Sequence, residues 1–210
     1  VEHGHPLDVL ASFCDRFEVV EVHTNQDYEP YALERDAKVR EMLEARGVAF
    51  HTHKDHVVKA PGEVTKPDGL PYTVFTPYSK RWHANLVDAD LEAVPSEHHL
   101  DALSGWDGRD LPSLQEMGFK RSAIEVPEAH VDVDVLKHYA DTRDLPAKRG
   151  TTRISVHLRF GTVSIRELAK LGFKHSEKWL TELIWRDFYQ AIIHAFPHSA
   201  KNAFRPQYDR

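Results

Sequence analysis

An α/β region joined through a long connector to an all-helical region is the fold class this sequence predicts, and three observations predict it. A strand, helix, strand succession ends near residue 56. Residues 57 to 125 are rich in Pro, Gly and Asp, with weak apolar periodicity. Helical patterns then follow residue 126. Parallel strands need a crossover connection, so the first observation implies a Rossmann-like parallel α/β domain. Three regions are therefore expected: 1–56, 57–125 and 126–210.

Leu7 to Arg16 reads as the end of a helix, and Phe17 to His23, Val-rich and alternating, as a strand. Asn25 to Glu29 make a turn. Pro30 suits the first helical position, where a missing N–H costs nothing. Tyr31, Leu33, Ala37, Val39, Met42 and Leu43 then form an apolar stripe, Gly47 stops the helix, and Val48 to Thr52 is the second strand. In the connector only Ser79 to Leu86 reads as helical. A loop this long is improbable inside one compact domain, so it is expected to run between two. Beyond it, helices are expected over Ala129 to Asp141, Val156 to Phe160, Ser164 to Leu171 and Glu177 to His194, with Ser164 and Glu167 at capping-box spacing.

Hydrophobic residues make up 41% of the chain and charged residues 29%, which fits a globular chain and excludes a disordered one. No run approaches the length of a membrane span, so no membrane partner is expected. Cys14 is the sole cysteine, which rules out an internal disulfide and suits a reducing, cytoplasmic setting. The net charge of −6 conceals an asymmetry: Lys137 to Arg210 carry 14 basic against 7 acidic residues, and the remainder 13 against 26. A basic carboxy-terminal part suits phosphates, of a dinucleotide or of a DNA backbone.

The most informative stretch is Trp179 to Tyr189. At about 100° per residue, Leu180, Leu183, Ile184, Phe188 and Ala191 fall on one side, and Trp179, Glu182, Trp185, Arg186 and Tyr189 on another. The first stripe is core. The second combines indoles with one carboxylate and one guanidinium, unlike a solvated face or a buried one, and suits a planar, anionic, hydrogen-bonding ligand. Upstream, Gly150-Thr151-Thr152-Arg153-Ile154-Ser155 places three hydroxyls and a cation before a short helix that Ser155 is expected to cap. Such a run offers donors to a pyrophosphate.

Tyr139, the Gly150 to Ser155 run, His157-Leu158-Arg159-Phe160-Gly161-Thr162-Val163-Ser164 and the Trp179 to Tyr189 helix, taken in this order, resemble the cryptochrome/photolyase family, in particular class I cyclobutane pyrimidine dimer photolyases. Asn25-Gln26-Asp27-Tyr28-Glu29-Pro30-Tyr31 with Glu34-Arg35-Asp36 is similar to part of the family's amino-terminal α/β domain. Pro71-Tyr72-Thr73-Val74-Phe75-Thr76-Pro77-Tyr78 with Trp82 is similar to its interdomain connector. Family members are longer than these 210 residues, so the resemblance implies a central piece: the back half of the Rossmann-like α/β domain, the long interdomain connector and the start of a helical FAD-binding domain.

The resemblance implies a function residue by residue. Tyr139, Thr151, Thr152, Arg153, Ile154 and Ser155 match positions that contact FAD, with Trp179 and Arg186 lining the same pocket. Glu182 and Trp185 match the substrate side and are the candidate catalytic residues: the indole would stack on a flipped-out pyrimidine dimer, and the carboxyl would hydrogen-bond its edge. Arg143 matches a position near the DNA phosphates. The implied activity is light-dependent repair of dimer-containing DNA by a monomeric flavoprotein, in which excited reduced FAD lends an electron to the dimer. A cryptochrome photoreceptor and a (6-4) photolyase are the alternatives within the family, and a non-catalytic nucleotide-binding protein the one outside it. Glu182 with Trp185 favours dimer repair. Tyr31 and Ala32 stand where folate-binding members carry an Asn-Glu pair, which leaves the antenna chromophore open between folate, a deazaflavin and none. His51-Thr52-His53-Lys54-Asp55-His56 is the densest cluster among 15 histidines, but it lacks the ligand spacing of a structural zinc site, and no metal is expected.

Overall fold

The computed structural model describes residues 2–103 and 111–209. Helix α1 (Pro6–Arg16) leads to strand β1 (Glu21–Asn25), helix α2 (Pro30–Glu44) and strand β2 (Ala49–His53). The amide of Ala49 bonds the Val20 carbonyl and that of Gln26 the His53 carbonyl, so the two strands advance together and pair in parallel. This is the expected βαβ crossover, with two registers corrected. The first strand starts at Glu21 rather than Phe17, because its bonding to β2 reaches back only to the Val20 carbonyl and Phe17 lies exposed before it. The second runs Ala49–His53, one residue later than expected.

After β2 come α3 (Phe75–Asn85), α4 (Val133–Lys137), α5 (Tyr139–Thr142), α6 (Ser155–Phe160), α7 (Ile165–His175) and α8 (Glu177–Ala195). Helix α3 starts four residues before the expected Ser79. The helix expected over Ala129 to Asp141 is two short ones broken at His138, and it starts only after Asp132, whose carboxylate accepts from the Asp134 amide. Among the described residues no helix is long and apolar enough to cross a membrane.

Two compact units emerge. The smaller comprises the described residues within Val1–Val22, Arg35–His51 and Ala93–Glu125. Its core is the stripe Leu7, Leu10, Cys14 of α1 packed with Val39, Met42 and Leu43 of α2 and with Val19, Val22, Val48 and Phe50. Gly47, at φ 72°, closes α2: its amide bonds the Glu44 carbonyl, the Val48 amide bonds the Leu43 carbonyl, and the Val48 and Leu43 side chains join the same cluster.

The larger unit comprises His23–Glu34, Thr52–Glu92 and Val126–Arg210. Residues 57–92 of the expected connector thus group with the helices, since Val58, Val64, Tyr78 and Trp82 enter the same core as Leu168, Leu180 and Ile184. At the centre lies α8, against which α3, α5 and α7 all pack. Helices α7 and α8 meet at Ser176, which ends one and caps the other, its hydroxyl accepting from the Trp179 amide at 3.3 Å. A Cβ on Gly172 would lie 2.9 Å from that of Leu180, so only glycine lets α7 come this close. Ser164 caps α7, its hydroxyl accepting from the Glu167 amide.

Candidate functional site

The predicted second stripe of α8 does not act as one surface. Trp179 is a correction: only 3% exposed, it belongs to the core. The reason is tertiary, since α8 is covered on several sides and its apolar face is wider than one stripe. The Trp179 indole N–H donates to the Thr152 hydroxyl at 3.4 Å, which joins the start of α8 to the hydroxyl-bearing run.

That run is shaped by two backbone features. Gly150 lies flat against the end of α5, where a Cβ would fall 2.3 Å from the Thr142 carbonyl oxygen. Arg153 adopts the left-handed region at φ 55° and turns the chain into α6. Ile154 is buried while Thr151, Arg153 and Ser155 are exposed, and among the described residues the side chains of these three make no hydrogen bond or ion pair. Ser155 is a second correction. It is the first residue inside α6, Ile154 holds the cap position, and no side chain caps the helix. The Thr151 and Ser155 hydroxyls and the Arg153 guanidinium thus keep their donors unengaged among the described residues, a donor set that fits a diphosphate.

One turn further along α8, Glu182 meets Arg143, whose guanidinium donates to it at very short range and to Asp144 at 3.2 Å. The Arg143 guanidinium also lies 5.5 Å from the Tyr139 ring centroid, over the ring. The Glu182 hydrogen bond, followed by that of Asp144, raises the Arg143 pKa, whereas burial, followed by Glu182, pushes the Tyr139 phenol up. Three of the predicted residues, Tyr139, Arg143 and Glu182, therefore form one cluster.

Trp185 belongs to a different neighbourhood. Phe75, the first residue of α3, stacks on it with ring centroids 3.6 Å apart and planes within 6°, while Tyr189 stacks at 5.4 Å. Arg186 points to neither group. Its guanidinium donates to the His56 carbonyl and meets the His56 ring nitrogens at 3.0 and 3.2 Å, and burial, followed by Arg186, lowers the His56 pKa.

Sequence reasoning missed Asp187. This carboxylate is 1% exposed; one oxygen accepts from the Lys59 amide at 2.9 Å and the Trp82 indole N–H at 3.0 Å, and the other has no partner among the described residues. Burial raises its pKa to about 6 against these hydrogen bonds and the nearby Arg186 charge. The signal was present: Asp187 follows Leu183 and Ile184 at helical spacing, so a carboxylate stood in the apolar stripe and required a donor. A buried ion pair also holds the segment after β2, Lys59 Nζ meeting Asp90 Oδ2 at 2.5 Å. Burial pushes Asp90 up, but Lys59, the Val87 amide and Lys54 together hold it below the ordinary carboxylate value.

Two close contacts involve the histidine cluster. His53 Nε2 lies 2.8 Å from His23 Nδ1, and His51 Nε2 lies 3.5 Å from Glu21.

The DNA photolyase family model matches residues 1–97. A deoxyribodipyrimidine photo-lyase of Halobacterium salinarum is 32% identical over 92% of this chain and 45% of its own length. An uncharacterised 31.6 kDa protein of Synechococcus sp. (strain PCC 6716) is 30% identical over 88% of this chain and 72% of its own. The crystal structure of a class III photolyase from Agrobacterium tumefaciens superposes with a TM-score of 0.77 at 20% identity, covering 95% of this chain and 46% of that one, and so shares the fold. The chain spans a little under half the length of the first curated relatives it matches. With a family model matching its amino-terminal part, a relative matched along most of both chains and the photolyase fold throughout, the chain belongs to the DNA photolyase family.

Proposed function

We propose that the natural protein carries out light-dependent DNA repair, splitting cyclobutane pyrimidine dimers with reduced FAD as the electron donor. The observation that carries this reading is the gathering of Tyr139, Arg143 and Glu182 beside a Trp179–Thr152 contact at one end of α8, in a chain whose curated relatives include deoxyribodipyrimidine photo-lyases. Bound FAD would supply the photochemistry, lending an electron to the dimer and taking it back.

The chain's own residues bind and orient. Thr151, Thr152, Arg153 and Ser155 would hold the FAD diphosphate through hydroxyls, backbone amides and a guanidinium, with Ile154 buried beneath them as an anchor. Trp179, whose indole N–H donates to the Thr152 hydroxyl, and Tyr139 would contact the same cofactor. Glu182 would hydrogen-bond the edge of the extruded dimer and Trp185 would stack on it, while Arg143 would leave its carboxylate for a DNA phosphate. Arg186 would line the same pocket while its guanidinium is engaged by His56. A folate or deazaflavin antenna is compatible with this scheme and independent of the residues named.

The test is direct. The purified natural protein should absorb in the blue, and dimers in an oligonucleotide should disappear under blue light and persist in darkness. Flavin binding without light-dependent loss of dimers would instead support a photoreceptor.

A further inference from the structure

Helix α3 presents Phe75, Tyr78 and Trp82 at spacings of three and four residues, one face of a helix turned toward α8. The last two are fixed. Each is 1% exposed, and the Trp82 indole N–H is tied to the buried Asp187 carboxylate, which also accepts from the Lys59 amide. Phe75 stands one turn before them, at the rim, and lies flat on Trp185. Phe188 closes the corner, meeting Trp185 edge-on at 5.6 Å and 77° and Phe75 at 5.8 Å and 74°.

The geometry points to Phe75 as a positioning residue that backs the Trp185 indole and sets the plane on which an extruded pyrimidine dimer stacks. The inference rests on the assignment of Trp185 to the substrate side made above. A partly exposed tryptophan without a neighbour samples several rotamers, and a base that stacks on it must first order the ring. Phe188 and Tyr189 already limit the Trp185 side chain, and a parallel phenyl at 3.6 Å, carried by a helix locked two turns away, fixes the plane of its ring before substrate arrives. Stacking platforms accept any base through its π face, so Phe75 would raise the affinity for whatever is extruded without reading its edge.

The experiment measures binding in darkness of the flavin-loaded natural protein to an oligonucleotide with one thymine dimer and to its undamaged counterpart. Phe75→Leu should reduce the preference for the dimer by about three- to tenfold, with flavin content and melting temperature little changed. Phe75→Tyr should restore the preference, and in a Trp185→Phe background Phe75→Leu should have much less effect. An unchanged preference, or an equal loss in both backgrounds, would overturn the inference. So would a gain, which would mean that Phe75 covers the indole instead of backing it. Should Phe75→Leu impair folding, Phe75→Met carries the same comparison. If the unsubstituted protein shows no preference for the dimer, the functional reading itself fails and this inference falls with it.

Discussion

Arg143 donates to Glu182 across 39 residues of sequence, placing the cation expected to meet DNA phosphates on the carboxylate expected to meet the dimer. Both side chains are partly exposed, so the pair belongs to the rim of the site and not to the core. Its contribution to stability is about 0.5–1 kcal/mol, small enough for a DNA phosphate to compete for the guanidinium.

Glu182→Gln should therefore have opposite effects on two measurements. Released from its carboxylate, Arg143 becomes available to phosphate, so the affinity for undamaged DNA rises and the salt dependence steepens by about one charge. Repair yield per absorbed photon falls, with flavin still bound. Arg143→Ala should instead weaken DNA binding and flatten the salt dependence by about one charge. Salt titrations of both variants check the pairing, and equal slopes would count against it.

The buried Asp187 sets a pH dependence. Its folded pKa of about 6 lies above the ordinary carboxylate value of 3.8, so between these values the folded chain holds a proton that the unfolded chain has lost. Stability from this group is thus fullest below about pH 4 and declines as pH rises to about 6, by up to about 3 kcal/mol. Asp187→Asn should remove that slope from melting curves recorded across the window. Asp187→Ala should destabilise by about 2–4 kcal/mol, because the Lys59 amide and the Trp82 indole N–H lose their acceptor.

Gly150→Ala tests the placement of the hydroxyl run. The added methyl would meet the Thr142 backbone oxygen at 2.3 Å, which no side-chain rotation relieves, so Thr151 to Ser155 must shift. Flavin content should fall, with a loss of about 1–3 kcal/mol in stability. Retention of full blue absorbance in the purified variant would argue that the run does not hold the cofactor.

At the α7–α8 corner, Ser176→Ala removes the cap on the Trp179 amide and should cost about 1 kcal/mol, whereas Ser176→Asp should preserve it. Thermal unfolding distinguishes the two.

Local rules in the sequence determined a good deal of this protein. The βαβ succession, the Pro30 start and Gly47 stop of α2, the Ser164 cap and the span of α8 all follow from periodicity and from backbone groups satisfied within a turn of the residue responsible. The α8 stretch from Trp179 to Tyr189 stood out because aromatics and charges interleave where a plain helix face would carry neither, while the roles proposed for its residues, and for Tyr139 and Arg143, come from the family resemblance. Tertiary structure decided the rest. It buried Trp179, left Ser155 without a capping role, turned Arg186 to His56, placed Phe75 on Trp185, and gave Asp187 its donors more than a hundred residues away. Helical spacing states which residues share a side of α8, but not which neighbour covers that side. A buried charge or indole takes whatever partner the packed chain supplies, and those partners lie on α3, on the run before α6 and on the segment after β2, remote in sequence and adjacent only in the fold.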